Sequence, residues 1–257
     1  MEKPILELQK VNKIFAAGKE NTLHAVKDVS FSLNPGESIG IVGESGSGKS
    51  TIARMVMGLT DVTSGKILLD GEDITNYSRK KMRDVYQKVQ LVFQDPYSVF
   101  SPRMTVGTFL EEGMVYIRKM RRPDAAREAE RLMQLVELSP ELLERLPHEL
   151  SGGQLQRVAI ARGISVNPKL LVLDEATSAL DVSVQKQIME LLVRLKKERS
   201  LSYLIVGHDL AVVRSITNRI LVMYEGRIVE ECSSEHLLTE AKEPYTQKLL
   251  RSVYTVD

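Results

Sequence analysis

The stretch Gly43-Glu44-Ser45-Gly46-Ser47-Gly48-Lys49-Ser50-Thr51 decides how this chain reads. It follows Ser38-Ile39-Gly40-Ile41-Val42, a short β-branched run that predicts a buried strand. It precedes residues 52–57, which predict the first turns of a helix ending near Gly58. Strand, glycine loop and helix form the setting in which G-x-x-x-x-G-K-[ST] becomes a phosphate site. Gly43, Gly46 and Gly48 let the backbone curl, so that successive N–H groups point at an anion. The following helix adds its positive N-terminal end. Lys49 supplies a mobile charge for the β- and γ-phosphates of a nucleotide, and Ser50 offers a hydroxyl to Mg2+. The competing reading is a glycine-rich turn with an incidental Lys-Ser pair.

The 257 residues suffice for one large α/β domain, or for a core with a smaller lobe. With 35 basic and 34 acidic residues the net charge is +1, so no strong field argues for nucleic acid or an anionic surface. A single cysteine, Cys232, forms no internal disulfide and fits a reducing compartment; it reads as a part-buried small residue rather than a reactive thiol. The N-terminal segment lacks an apolar core and a small-residue cleavage site, so no signal peptide is expected. No run approaches about 18 uninterrupted apolar residues, which predicts a chain soluble by itself.

In chain order, Ile5 to Leu8 and Val26 to Leu33 alternate apolar and polar, as half-buried antiparallel strands do. Asn34-Pro35-Gly36-Glu37 predicts a turn. Phe15 falls in the loop-like stretch Lys13 to Thr22, as an exposed ring for a nucleobase or as a core plug. Ser64 to Gly71 predicts a strand and tight turn, and Val85 to Phe93 a further strand ending at Gln94-Asp95-Pro96. Asp124 to Leu138 carries an apolar face of period near 3.6, and Ser139-Pro140-Glu141 predicts another helix start. Residues 151–163 and 182–199 predict helices, and Lys169 to Leu173 and Tyr203 to Val206 predict buried parallel strands. Ile220 to Glu230 predicts a β-hairpin around Glu225-Gly226. The expectation is a single α/β domain over 1–257 with a mostly parallel sheet. Its core and an antiparallel β-subdomain take up about 1–95 and 165–235, an inserted helical lobe about 96–164, and a short tail about 236–257.

A buried strand ending in Asp174 places a carboxylate at the sheet edge where open α/β sheets bind ligands. Asp174 there can hold Mg2+ through water, and Glu175 can polarise a water for attack on a phosphoryl group. Two acids on a helix macrodipole would be the bland alternative. Gln94, for Mg2+ or water, and His208, for the γ-phosphate, also follow predicted strands, so four strand ends converge. Leu150-Ser151-Gly152-Gly153-Gln154 offers a second anion site, about a hundred residues after the first: a good N-cap followed by two glycines with exposed N–H groups. A dimer needs two such cradles, each chain's second closing over its mate's nucleotide. The bland alternative is a glycine-tolerant helix start.

Together, Gly43 to Thr51, Gln94, Leu150 to Gln154, Leu170 to Glu175, Ser178-Ala179-Leu180-Asp181 and His208 resemble, in order, the motifs of the nucleotide-binding subunit of ABC transporters. The resemblance covers essentially the whole chain, and LSGGQ is nearly diagnostic. It implies a P-loop NTPase fold and an ATPase that closes head-to-tail around two ATP and two Mg2+. It implies that Lys49 contacts the β- and γ-phosphates, that Ser50 and Gln94 attend Mg2+, that Glu175 is the base and that His208 senses the γ-phosphate. It further implies that Ser151 and Gly153 act across the interface, that Asp181 links the two sites, and that Phe15 stands where an aromatic usually lies under adenine.

Phe93 to Gly107 and Glu243 to Leu250 are similar to the oligopeptide, dipeptide and nickel importer subfamily. That implies a second ATPase subunit, identical or sister, two integral-membrane permease subunits, an extracytoplasmic solute-binding protein, and a place on the cytoplasmic face of the membrane. It also implies that the lobe near Gln94 meets the permease. Met104, Met114 and Met120 suit either an adaptable docking face or gap-filling. Ala176, Gly207 and Ser101 depart from the commoner proline, threonine and asparagine, without loss of a catalytic group. Ending at Asp257 without a cysteine-containing extension favours a shorter relative that serves nickel or a metal chelate. A soluble non-transport ABC ATPase acting as an ATP-gated switch is the alternative; a P-loop small-molecule kinase is disfavoured, having no use for LSGGQ.

Overall fold

The computed structural model describes residues 3–16, 22–75, 77–177 and 180–254. Part of the stretch around Phe15 (17–21), and Ser178 and Ala179 of the SALD motif, lie outside the described residues.

The chain opens with β1 (Leu6–Ala16) and β2 (Thr22–Leu33), an antiparallel pair. Phe15 therefore sits in a strand, paired with Leu23, and not in a loop. Alternation fades in the second half of β1 because register shifts break it there. The turn at Pro35-Gly36 follows as expected: Glu37 N–H donates to the Asn34 carbonyl over 3.1 Å, and Gly36 has φ +73°. Then come β3 (Ser38–Val42), α1 (Lys49–Val56), β4 (Ser64–Leu69) and the short β5 (Glu72–Asp73).

The strand expected over residues 85–93 is divided. α2 (Arg79–Lys88) takes its first part and β6 (Val89–Val92) the remainder. Met82 and Val85 are buried on one face of α2, and that packing overrides the alternation of the local sequence.

No strand lies between Val92 and Leu170. The chain there runs through α3 (Val106–Tyr116), α4 (Arg122–Leu135) and α5 (Gly152–Ile164). The helix expected at Ser139 is only a single 3-10 stretch, Pro140–Glu144, closed by an extended Arg145. Met114 is fully buried and fills a gap, whereas Met104 and Met120 pack against the same core and stay partly exposed. The chain ends with β7 (Leu170–Asp174), α6 (Val182–Arg199), β8 (Ser202–Gly207), α7 (Leu210–Ile216), β9 (Arg219–Tyr224), β10 (Arg227–Ser233), α8 (Leu237–Glu240) and α9 (Pro244–Tyr254).

Two sheets result. One is four-stranded and antiparallel, ordered β2-β1-β4-β5; the other is six-stranded, ordered β10-β9-β3-β8-β7-β6, and parallel except for the β9–β10 hairpin. Successive residues of the parallel strands enter two different cores. Leu170, Val172, Leu204, Val206 and Leu221 face α1, α2 and the antiparallel sheet, whereas Leu171, Leu173, Tyr203, Ile205 and Ile220 face α3 to α7. Burial on both faces explains why these strands read as unbroken apolar runs. Cys232 is half-buried, and burial, with nearby acids, pushes its thiol up to about 11, the state of an inert core sulfur. Among the described residues no helix is long and apolar enough to cross a membrane.

Candidate active site

The strand order sets the site. β3, β8, β7 and β6 are consecutive neighbours, so Gly43, His208, Glu175 and Gln94 all emerge from the C-terminal edge of one parallel sheet.

The loop from Gly43 to Gly48 curls over the start of α1. Gly43, Gly46 and Gly48 all have positive φ. At Gly43 the need is also one of space: an added Cβ would lie 2.1 Å from the Met223 carbonyl oxygen. The far side of the loop is held by the β9–β10 turn, where Gly226 N–H donates to the Ser47 carbonyl over 3.1 Å. The hairpin is legible in the sequence; its grip on the phosphate loop is not, because the two segments lie far apart in the chain.

Lys49 is only 4% exposed. Its ammonium donates to the Gly43 carbonyl (2.9 Å) and the Glu44 carbonyl (2.7 Å). Burial lowers its pKa, while the charges of Glu175 and Asp174 act to raise it. Glu44, Ser45 and Gly46 are exposed, Ser47 is buried, and Ser50 and Thr51 are part-buried in the first turn of α1. That turn carries no acidic residue and no side-chain cap, so its N–H groups are open to an anion. A buried cation beside open helix-end donors fits a polyphosphate.

The Ser50 hydroxyl donates to Asp174 Oδ1 over 2.8 Å. Burial pushes the Asp174 carboxyl above the usual carboxylate range. The Ser50 hydrogen bond opposes this, the Glu175 charge adds to it, and Arg54 and Lys49 pull it back. Two adjoining hard oxygens suit Mg2+, which takes one or two protein oxygens and completes its shell with phosphate and water.

Glu175 has φ +50°, an uncommon conformation for a side-chain-bearing residue. The turn is held by its N–H, which donates to the Val206 carbonyl over 2.8 Å. Glu175 Oε2 then lies 3.5 Å from His208 Nδ1 across the β7–β8 edge. Gln94 is exposed two residues beyond β6.

Ser151, Gly152, Gly153 and Gln154 open α5 with a full capping box: Ser151 Oγ accepts from Gln154 N–H, and Gln154 Oε1 accepts from Ser151 N–H over 2.9 Å. An added Cβ at Gly153 would lie 2.7 Å from Val184 Cγ1 of α6, whereas one at Gly152 would make only an ordinary contact. Packing within the chain thus accounts for Gly153 and leaves Gly152 unexplained. Asp181 caps α6, accepting from Val184 N–H over 2.9 Å. Phe15 is 37% exposed with Lys13 Nζ 4.8 Å from its ring centre, so it is no core plug.

The family described as ABC transporter matches residues 26–178. The chain belongs to the ABC transporter family. As an ABC cassette it is an ATPase that uses ATP and Mg2+. The oligopeptide transport ATP-binding protein OppF of Haemophilus influenzae is 42% identical over 245 residues, 95% of this chain and 74% of that protein. YkfD of Bacillus subtilis, named for oligopeptide transport, is 44% identical over 252 residues, 97% of this chain and 76% of its own. Among solved ABC cassettes, the dimeric post-hydrolysis structure of MJ0796 bound to ADP and Pi aligns with a TM-score of 0.82 at 30% identity, covering 89% of this chain and 98% of that one. CbiO1 of Clostridium perfringens, part of the transporter complex cbiONQ, aligns with a TM-score of 0.82 at 30% identity, covering 98% and 95%.

Proposed function

We propose that this ABC ATPase energises import of peptides through a partner permease. The observation that carries the reading is the identity to OppF, 42% over 95% of the chain. YkfD too is named for oligopeptides, which favours peptides over nickel or a metal chelate as the solute. The partners are a second ATP-binding subunit, two permease subunits and an extracytoplasmic binding protein, and the chain works at the cytoplasmic face of the membrane.

In this reading Lys49 and the open N–H groups of α1 bind the β- and γ-phosphates. Ser50, Asp174 and Gln94 hold Mg2+, which neutralises charge on the phosphates when bound. Glu175 takes the proton of the attacking water, and His208, beside it, hydrogen-bonds the γ-phosphate. The Ser151-Gly152-Gly153 helix start of one subunit closes over the nucleotide of its mate. The exposed Phe15 ring lies against adenine, and Asp181 links the paired sites. Residues of about 96–164 act as the lobe that carries closure to the permease.

The test is uptake of labelled tri- and tetrapeptides by cells lacking this chain. Restoring the parent chain should restore uptake, and restoring Lys49→Ala should not. Uptake that is undiminished without the chain, or equal with Lys49→Ala, contradicts the proposal.

A further inference from the structure

The tail segment Glu243 to Leu250 has no role in the chemistry above, yet one of its side chains reaches the phosphate loop. Tyr245, in the first turn of α9, accepts a hydrogen bond at its hydroxyl from the Glu44 backbone N–H over 2.8 Å. The residues are 201 positions apart. The phenol is built in rather than draped on the surface. Tyr245 is 9% exposed, and its ring lies 4.3 Å, centre to centre, from that of Tyr224 at the end of β9. The approach to α9 is tied to β10: Glu230 Oε1 accepts from Lys242 N–H over 2.7 Å. Leu250 of α9 is buried in the core that α3 to α7 share.

The contact matters because of what else the same peptide unit does. The Glu44 N–H and the Gly43 carbonyl belong to one planar group, and in the trans form they point to opposite sides. The Gly43 carbonyl accepts from the Lys49 ammonium over 2.9 Å. One face of this peptide therefore holds the phosphate-binding cation, and the other is held by the tail. Such a unit turns about ψ of Gly43 and φ of Glu44, and a glycine at 43 removes the side-chain barrier at the first of these. Such a rotation would take the carbonyl away from Lys49 and leave a buried ammonium with one backbone acceptor fewer.

We propose that Tyr245 is a positioning residue for nucleotide binding: its hydroxyl fixes the Gly43–Glu44 peptide so that the Gly43 carbonyl holds Lys49 in the cradle before ATP arrives. The gain is pre-organisation, which shows as affinity for ATP rather than as a faster chemical step. α9 thereby belongs to the nucleotide site although it lies outside every motif that carries the chemistry. This rests on the reading that the Gly43–Thr51 loop binds ATP.

The test uses the full chain, with ATP binding and turnover measured for the parent and Tyr245→Phe. Tyr245→Phe keeps the ring and removes only the acceptor. Its Kd and KM for ATP should rise about threefold to tenfold, with kcat within about twofold of the parent. Amide hydrogen exchange without nucleotide gives an independent readout: in Tyr245→Phe the Glu44 amide should lose protection while those of Ile41 and Val42 keep theirs. A Kd for Tyr245→Phe equal to that of a parent that binds ATP overturns the inference and leaves the ATPase reading intact. Loss of protection throughout β3 also overturns it, showing a general loosening. A parent that binds no ATP overturns both.

Discussion

The Ser50 hydroxyl and the Asp174 carboxylate stand 2.8 Å apart, although 124 positions separate them in the chain. They join the start of α1, whose first turn has no side-chain cap, to the end of β7. Asp174 is 8% exposed, and burial raises its pKa, so its charged form is held at a cost to the folded state.

Asp174→Asn should therefore stabilise the nucleotide-free chain at neutral pH. The sign follows from linkage. An acid whose pKa is higher in the folded than in the unfolded state adds most stability when protonated, and that contribution is lost as pH rises from the unfolded value through the folded one. At acid pH below about 3.9, parent and variant should melt together. Toward neutrality the variant should pull ahead and melt at the higher temperature of the two. Calorimetry at a series of pH values checks this; Mg2+-dependent ATP turnover should fall in the same variant.

Gly153→Ala should destabilise the chain even though alanine is ordinarily the better helix residue. The added methyl would meet Val184 Cγ1 at 2.7 Å, and overpacking of this kind costs about 1–3 kcal/mol. In a Val184→Ala background the penalty should vanish. Thermal melts of the four chains form a double-mutant cycle, and a penalty that persists without Val184 contradicts the packing account.

Arg157 ties α5 to its surroundings. Its guanidinium, 8% exposed as a residue, donates to the Val136 carbonyl and to Glu137 Oε2, both at 2.9 Å, and to Gln187 of α6 at 3.3 Å. Arg194 of α6 pairs with the other oxygen of Glu137. Arg157→Ala should cost about 2–4 kcal/mol in chemical denaturation by leaving a buried carbonyl without its donor. Arg157→Lys should recover only part, since an ammonium cannot span these acceptors as a planar fork does.

The phosphate loop, the acid pair and the alternation of strands and helices were legible because each is a local pattern. β7 and β8 are buried on both faces and so announce themselves as apolar runs. α2 was not legible: Val85 to Phe93 alternates like a strand, and only packing of Met82 and Val85 shows that its first half is helical. The left-handed turn at Glu175 leaves no mark in a sequence, because the Val206 carbonyl that receives its N–H lies on another strand. The Tyr245–Glu44 contact is invisible for a different reason, since it depends on where α9 docks after the whole sheet is assembled.

The central claim is that Glu175, at the end of β7 and 3.5 Å from His208, activates the water that attacks ATP held at Lys49. Glu175→Gln keeps the size of the side chain and removes its basicity. Steady-state phosphate release, measured alongside ATP affinity, is the direct test. The account predicts a fall in turnover of about 10²–10⁴ with ATP affinity retained; turnover equal to the parent's would contradict it.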